Sequence, residues 1–460
     1  MESLYKLNAI DVIQKLKSGA VSIHDTLDCL QDRIEQVDPA INSLPTLCFD
    51  RARQHADKLQ QLPVKERGPL CGLPVTIKDL MPVEGVRTTF GSRVFDQYIP
   101  KNSDRLVRLI ESKGGIVYAK SNTPEFGAGG MTFNDVFGIT HSPYHTAFSS
   151  GGSSGGAAAS LASGCAWLSH GSDMAGSLRT PASFCGATSL RPSPGRIKFD
   201  SDYTPYDILS AEGPMARTVH DLAIFADVMF NHDNQYFYAA SDKPLMPSKI
   251  AVSHDLGITR VSNEINDKFQ AFIEMLSAKT PGVKDSCPDL SGVDDCFDAL
   301  RAHSYAIGLE GVLNEHPDVL KPEVIWNIES GLSLNSDQLR HAVRTQGQII
   351  NRAAQFMQDV DLLICPATSV TGVDAQLRYP DSDKGVPVPE YYRWLAIAYA
   401  ITVTALPVLT LPVAITSSGL PFAVQLIGKP GGELQLFQYA RKIEILSGWT
   451  GTPVDPYTPG

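Results

Sequence analysis

The chain has 460 residues, 43% hydrophobic and 19% charged, a balance that suits a globular protein with a large core. Its formal net charge of −11 lacks the basic footprint of a nucleic-acid binder, and no block of like charges marks a disordered interaction tail. The opening MESLYKLNAIDVIQKLKSG mixes charge with apolar residues, unlike a secretory leader; no window is long and apolar enough to span a membrane; the eight cysteines form no CxxC pair, so a reduced, cytoplasmic protein is expected.

Residues 1–62 read as helical, with Leu4, Leu7, Ile10, Ile13 and Leu16 on one stripe. CGLPVTIKD (71–79) reads as a short buried strand ending in polar residues. Ser103 is placed to cap a helix through Leu106, Leu109 and Ile110 that Gly114 and Gly115 end, and IVYAK (116–120) follows as a strand. AAASLASG (157–164) suggests a short helix, and AWLSHGSD (166–173) a strand running into a turn. Next come a helix at 216–230, a strand at 249–254 and a helix at 262–278, whereas 280–335 has no clear pattern. VDLLICP (360–366), PVLTLPVAI (407–415) and FAVQLIG (422–428) read as buried strands, and a closing helix spans about 433–446. The rhythm predicts one large α/β domain with a mixed or parallel core sheet.

One stretch, SSGGSSGGAAAS (149–160), admits three meanings: flexible linker, phosphate loop or active-site floor. Linkers join domains and have polar flanks, whereas this run lies between a strand region and an alanine-rich helix. A phosphate loop needs GK[ST] after the glycines or GxGxxG after a strand, and neither is present. GxSxG occurs twice, but the preceding HSPYHTAFSS is no buried strand, and nothing marks any of the 11 histidines as a triad partner.

A serine nucleophile can instead use a lysine base, if burial lowers the lysine from about 10.4 toward neutrality. Lys78 ends an otherwise apolar strand and is a candidate, although such a lysine is ordinarily a solvated charge. GSDMAGSLRTP (171–181) adds a second serine, Ser177, after a small, flexible turn whose backbone N–H groups could converge on one oxyanion.

With Lys78 in GLPVTIKD, Ser153 in GGSSGG and Ser177 in GSDMAGSLRTP, the sequence resembles the amidase signature family in residue type, order and interval. AKSNTPEFG (119–127), FCGATSLRPSPGRI (184–197), EGPMARTVHDL (212–222), LLICPAT (362–368) and PFAVQLIG (421–428) extend the resemblance over nearly the whole chain. It implies a single domain over 1–460, with a central mixed β-sheet flanked by helices. Residues 1–65 would be a mainly helical N-terminal segment and 71–222 the catalytic core.

The resemblance also implies a mechanism. Lys78 acts as base, Ser153 as relay behind a cis peptide bond, and Ser177 as the nucleophile that forms an acyl-enzyme. The N–H groups of Met174, Ala175, Gly176 and Ser177 form the oxyanion hole. Ser154 hydrogen-bonds to Lys78, Asp173 and Arg179 hold the loop, and Phe126 and Gly127 line the acyl pocket. No metal or organic cofactor is implied.

Three features depart from the family pattern: Ala175 where a glycine is common, Thr146-Ala147-Phe148-Ser149-Ser150 where arginine or proline is usual, and Ser172 where threonine is frequent. None removes a triad member. Alanine resists positive φ, so position 175 is either conformationally ordinary or the loop is altered. His141 and His145 flank Pro143 and read as loop residues, not a metal pair, and Cys185 reads as a buried thiol.

The expected function is a stand-alone amidase acting on a small or medium carboxamide, with no nucleic-acid or membrane partner; the resemblance allows a homodimer. Two rival expectations are the glutaminase subunit of a tRNA-dependent amidotransferase and a catalytically idle amidase-like binding protein.

Overall fold

Short runs rich in β-branched and other apolar residues assemble at the centre of the molecule into an eleven-stranded mixed sheet. The computed structural model describes residues 4–200, 207–232 and 236–459. From one edge, the strands are Thr46–Leu47, Ile116–Ser121, Pro74–Lys78, Leu168–Asp173, Ala211–Ala216, Thr188–Arg191, Val408–Ile415, Pro421–Ile427, Leu362–Pro366, Ile250–Val252 and Val283–Asp285. Pro74–Lys78 runs parallel to both its neighbours, and Ile250–Val252 runs parallel to both of its own. The remaining pairings are antiparallel.

The central strands are buried on both faces, which is why they read as continuous apolar runs and not as alternating ones. Leu362 and Ile364 enter one core, while Leu363 and Cys365, pointing the opposite way, enter another. The first core is covered by Ala9–Ser18, Ile23–Ile41, Val219–Met229 and Glu433–Ser447, the second by Val293–Glu315, Ser336–Asp359 and Ala396–Val403. A smaller cluster packs the wholly buried helix Gly155–Ala162 against Leu178, Ala182 and Met215. This is the single α/β domain, with a mixed sheet between helices, that the sequence predicts.

Several local expectations need correction. Residues 1–62 are not continuously helical: Ala9–Ser18, Ile23–Ile41 and Phe49–Gln60 are helices, and Thr46–Leu47 is a strand between the last two. Ser103 does not cap the next helix. Its hydroxyl accepts from Glu84 N–H at 2.9 Å, and Asp104 caps Arg105–Ser112 by accepting from Leu106 N–H at 2.7 Å. The helix placed at 216–230 starts at Val219 behind a Thr218 cap, because Ala211–Ala216 is drawn into the sheet between two strands. Residues 280–335, which show no clear pattern in sequence, hold the strand Val283–Asp285 and the helices Val293–Glu315 and Pro322–Leu332.

Candidate active site

Lys78 closes its strand with a side chain that is wholly buried. Its Nζ lies 2.7 Å from Ser153 Oγ, 2.9 Å from Ser154 Oγ and 2.9 Å from Ser172 Oγ, and among the described residues it forms no ion pair. Three neutral hydroxyls solvate an amine without repaying the cost of burying a charge. Burial therefore lowers Lys78 to about 7, against the opposing pull of Glu212 and Asp173.

The Gly/Ser run leads from the hairpin strand His145–Ser149 to the helix Gly155–Ala162. The Gly152–Ser153 peptide is cis. A Cβ on Gly152 would come within 2.8 Å of Met131 N, so only glycine lets the run pass this close to the neighbouring backbone. Ser154 stands at the N-terminus of the helix but does not cap it. Its Oγ instead meets Lys78 Nζ, accepts from Ser172 N–H at 3.2 Å and donates to Ser172 O at 3.2 Å. Its N–H donates to Ser177 O at 3.1 Å. Ser154 thus ties together the three segments that carry Lys78, Ser153 and Ser177.

The loop holding Ser177 follows the strand Leu168–Asp173 and is fixed by a buried ion pair. Arg179 Nε and Nη2 reach Asp173 Oδ2 at 3.0 Å and Oδ1 at 2.8 Å, and Arg179 also donates to Ala398 O, Gln425 Oε1 and Thr402 Oγ1. Burial alone would raise the Asp173 carboxyl, but Arg179, Arg191 and backbone N–H donors hold it well below the usual carboxylate range.

Asp173 also accepts from Gly176 N–H at 2.9 Å and from Leu178 N–H at 3.0 Å. Gly176 N–H is therefore engaged, a correction to its expected place among four oxyanion donors. The N–H groups of Met174, Ala175 and Ser177 have no acceptor among the described residues. Positive φ falls on Gly176, at 110°, and not on Ala175, so the alanine occupies an ordinary conformation.

Ser153 and Ser177 line one cavity of about 380 Å³, together with Ser172, Met174 and the expected pocket residues Phe126 and Gly127. Phe126 stacks on Phe90 with ring centres 6.5 Å apart, and a Cβ on Gly127 would stand 3.4 Å from Ser153 Oγ. His141 Nδ1 meets Thr146 O at 2.6 Å within its loop, and the His145 ring packs on Phe148 of the loop and on Tyr457 of the C-terminal segment. Cys185 is wholly buried, and burial pushes its thiol up.

Three site residues had no expected role. Ser172 supplies the third hydroxyl to Lys78; its place at the end of a strand beside the Lys78 strand is the signal that could have found it. His170 Nε2 lies 2.7 Å from Glu212 Oε2, and Nδ1 accepts a long bond from Lys78 N–H at 3.4 Å. Nδ1 as acceptor puts the imidazole proton on Nε2, facing Glu212. No local pattern marks that pair, because the antiparallel register of their strands brings them together.

A family model described as Amidase matches residues 25–437. An acylamidase of Rhodococcus erythropolis is 28% identical over 475 residues, covering 97% of this chain and 97% of that protein. A glutamyl-tRNA(Gln) amidotransferase subunit from Synechococcus sp. (strain CC9605) is 28% identical over 477 residues, with 94% of each chain covered. In overall fold the chain is similar to a 6-aminohexanoate cyclic dimer hydrolase solved with its substrate, at a TM-score of 0.86 and 22% identity, over 98% of this chain and 99% of that one. With the family model matched along most of its length, the chain belongs to the amidase family.

Proposed function

We propose that the protein hydrolyses a small or medium carboxamide to a carboxylate and an amine or ammonia, through an acyl-enzyme on Ser177, with Ser153 as proton relay and Lys78 as base. The observation that carries this reading is Lys78 itself: wholly buried, in contact with three serine hydroxyls, and brought to about 7 by desolvation. A lysine lowered this far is available in its neutral form near neutral pH and can take a proton.

Neutral Lys78 accepts the Ser153 proton while Ser153 takes that of Ser177, whose oxygen attacks the amide carbon. The unpaired N–H groups of Met174, Ala175 and Ser177 favour an oxyanion hole of three donors, held in place by the Asp173–Arg179 pair. The relay then returns a proton to the leaving nitrogen, and water on the same route releases the acid. Ser154, Asp173 and Arg179 are positioning residues, and Phe126 and Gly127 shape the pocket. This cycle uses side chains, backbone N–H groups and water. A cytoplasmic setting accords with eight free cysteines.

Similarity to a glutamyl-tRNA(Gln) amidotransferase component keeps a glutaminase reading in view. Glutamine would bring an α-carboxylate into a cavity that, among the described residues, is lined by no lysine, arginine or histidine, which favours the stand-alone amidase. Assay of the purified protein against aliphatic amides, anilides and glutamine tests the proposal. Ser177→Ala and Lys78→Ala should each lose amide hydrolysis by about 10³-fold or more; full activity in either variant contradicts the mechanism.

A further inference from the structure

The cavity that Ser153 and Ser177 share carries charge of one sign. Asp207 and Glu212 line it beside Asp173, with no lysine, arginine or histidine among the described residues. The residues outside the described set include none of these three types either. Asp173 is balanced by Arg179 and Arg191. The other two carboxylates form no ion pair with lysine or arginine among the described residues, although Asp207 acts on Arg191 and Glu212 on Lys78 at longer range. Asp207 is held by neutral donors, Leu209 N–H at 2.8 Å on Oδ1 and Ser304 Oγ at 3.1 Å on Oδ2. Glu212 accepts from His170 Nε2 at 2.7 Å through Oε2 alone. Each carboxylate is thus fixed in direction and retains lone pairs for a further donor.

The cavity is also lined by Phe90, Phe126, Phe199 and Tyr305, and aromatic rings attract cations. A substrate carboxylate here would face like charge with no cation lining the cavity, whereas an ammonium group would meet an oriented carboxylate in an aromatic-lined cavity.

We infer that the substrates are amides that also bear a protonated amine, with Asp207 as the specificity-determining counter-ion, and that anionic amides are rejected. This rests on the Ser177 amidase reading above. It goes further by naming the charge class of the substrate and the residue that selects it.

The test follows the rate at which a fluorophosphonate labels Ser177 in the full chain while hexylammonium, 1-hexanol or hexanoate competes for the cavity. Hexylammonium should protect Ser177 at a concentration about tenfold or more below that of hexanol, with hexanoate weakest of the three. Asp207→Asn should cut the advantage of hexylammonium over hexanol to about threefold or less. The ranking in the unmodified protein is informative whether or not the variant folds. Equal protection by the three ligands, or preference for hexanoate, overturns this inference and leaves the amidase reading standing. Retention of the full ammonium advantage in Asp207→Asn overturns the role of Asp207. Absence of labelling at Ser177 overturns both.

Discussion

Lys78 and Lys120 stand on neighbouring parallel strands with both side chains wholly buried, yet only Lys120 has a carboxylate beside it, Asp79 at 3.1 Å. Lys120 Nζ is thereby paired with a carboxylate, and also donates to Met81 O and Thr88 Oγ1, while burial lowers it against the pull of Asp79. Lys78 is surrounded by hydroxyls instead, and burial brings it to about 7.

The pH dependence of turnover follows from the environment of Lys78. Lys78 must be neutral to accept a proton, so kcat/KM should level off above about 7 and fall about tenfold per unit below it. Ser172→Asp would put a carboxylate where a hydroxyl now lies 2.9 Å from Nζ, holding Lys78 protonated and moving the acid limb to higher pH. Glu212→Gln should move it the other way, because the Glu212 charge pulls Lys78 up. A pH–rate profile of the three proteins checks the order; a limb unmoved in both variants would exclude Lys78 as the titrating base.

Gly176 and Ala175 should respond oppositely to exchange. Gly176 has a φ of 110°, and a Cβ there would stand 2.7 Å from Ala398 Cβ. Gly176→Ala should therefore shift the oxyanion donors and lower kcat by about 10²–10³-fold. Ala175→Gly should leave kcat nearly unchanged, since Ala175 has no positive φ to relieve. Steady-state kinetics on both variants decides.

The Asp173–Arg179 pair is a stability element as well as a clamp. Arg179→Met strands Asp173 in the core with Arg191 as its remaining cation, and should cost about 3–5 kcal/mol in urea unfolding. Asp173→Asn in the same chain should recover part of that loss, because the buried carboxylate that Arg179 no longer stabilises is gone. A double variant no more stable than Arg179→Met would contradict this account.

The Lys78 strand was legible because an apolar run ended abruptly in charge, and the Gly/Ser run because its neighbours ruled out a linker. The helices between 293 and 332 were not, because their inward faces carry polar side chains. Arg301 is buried with its guanidinium 3.7 Å from the Tyr392 ring centre, and Glu323 and Asn327 are buried as well. The buried polar residues interrupt the apolar stripe formed by residues such as Phe297, Val324 and Ile328, and so blur the helical spacing. The Asp104 cap was missed because Ser103 and Asp104 are both good caps, and a tertiary bond to Glu84 N–H decides between them. The Glu212–His170 pair depends on strand register, and the engagement of Gly176 N–H on where the Asp173 carboxylate turns; neither is written in local sequence.

The central claim is that Ser177 carries the acyl group and Ser153 the proton. Rapid quenching of the enzyme during turnover of an activated amide, followed by peptide mass mapping, tests it most directly. The account predicts the acyl mass on the peptide segment at Ser177 and an unmodified Ser153. An acyl group on Ser153, or full turnover by Ser177→Ala, would contradict it.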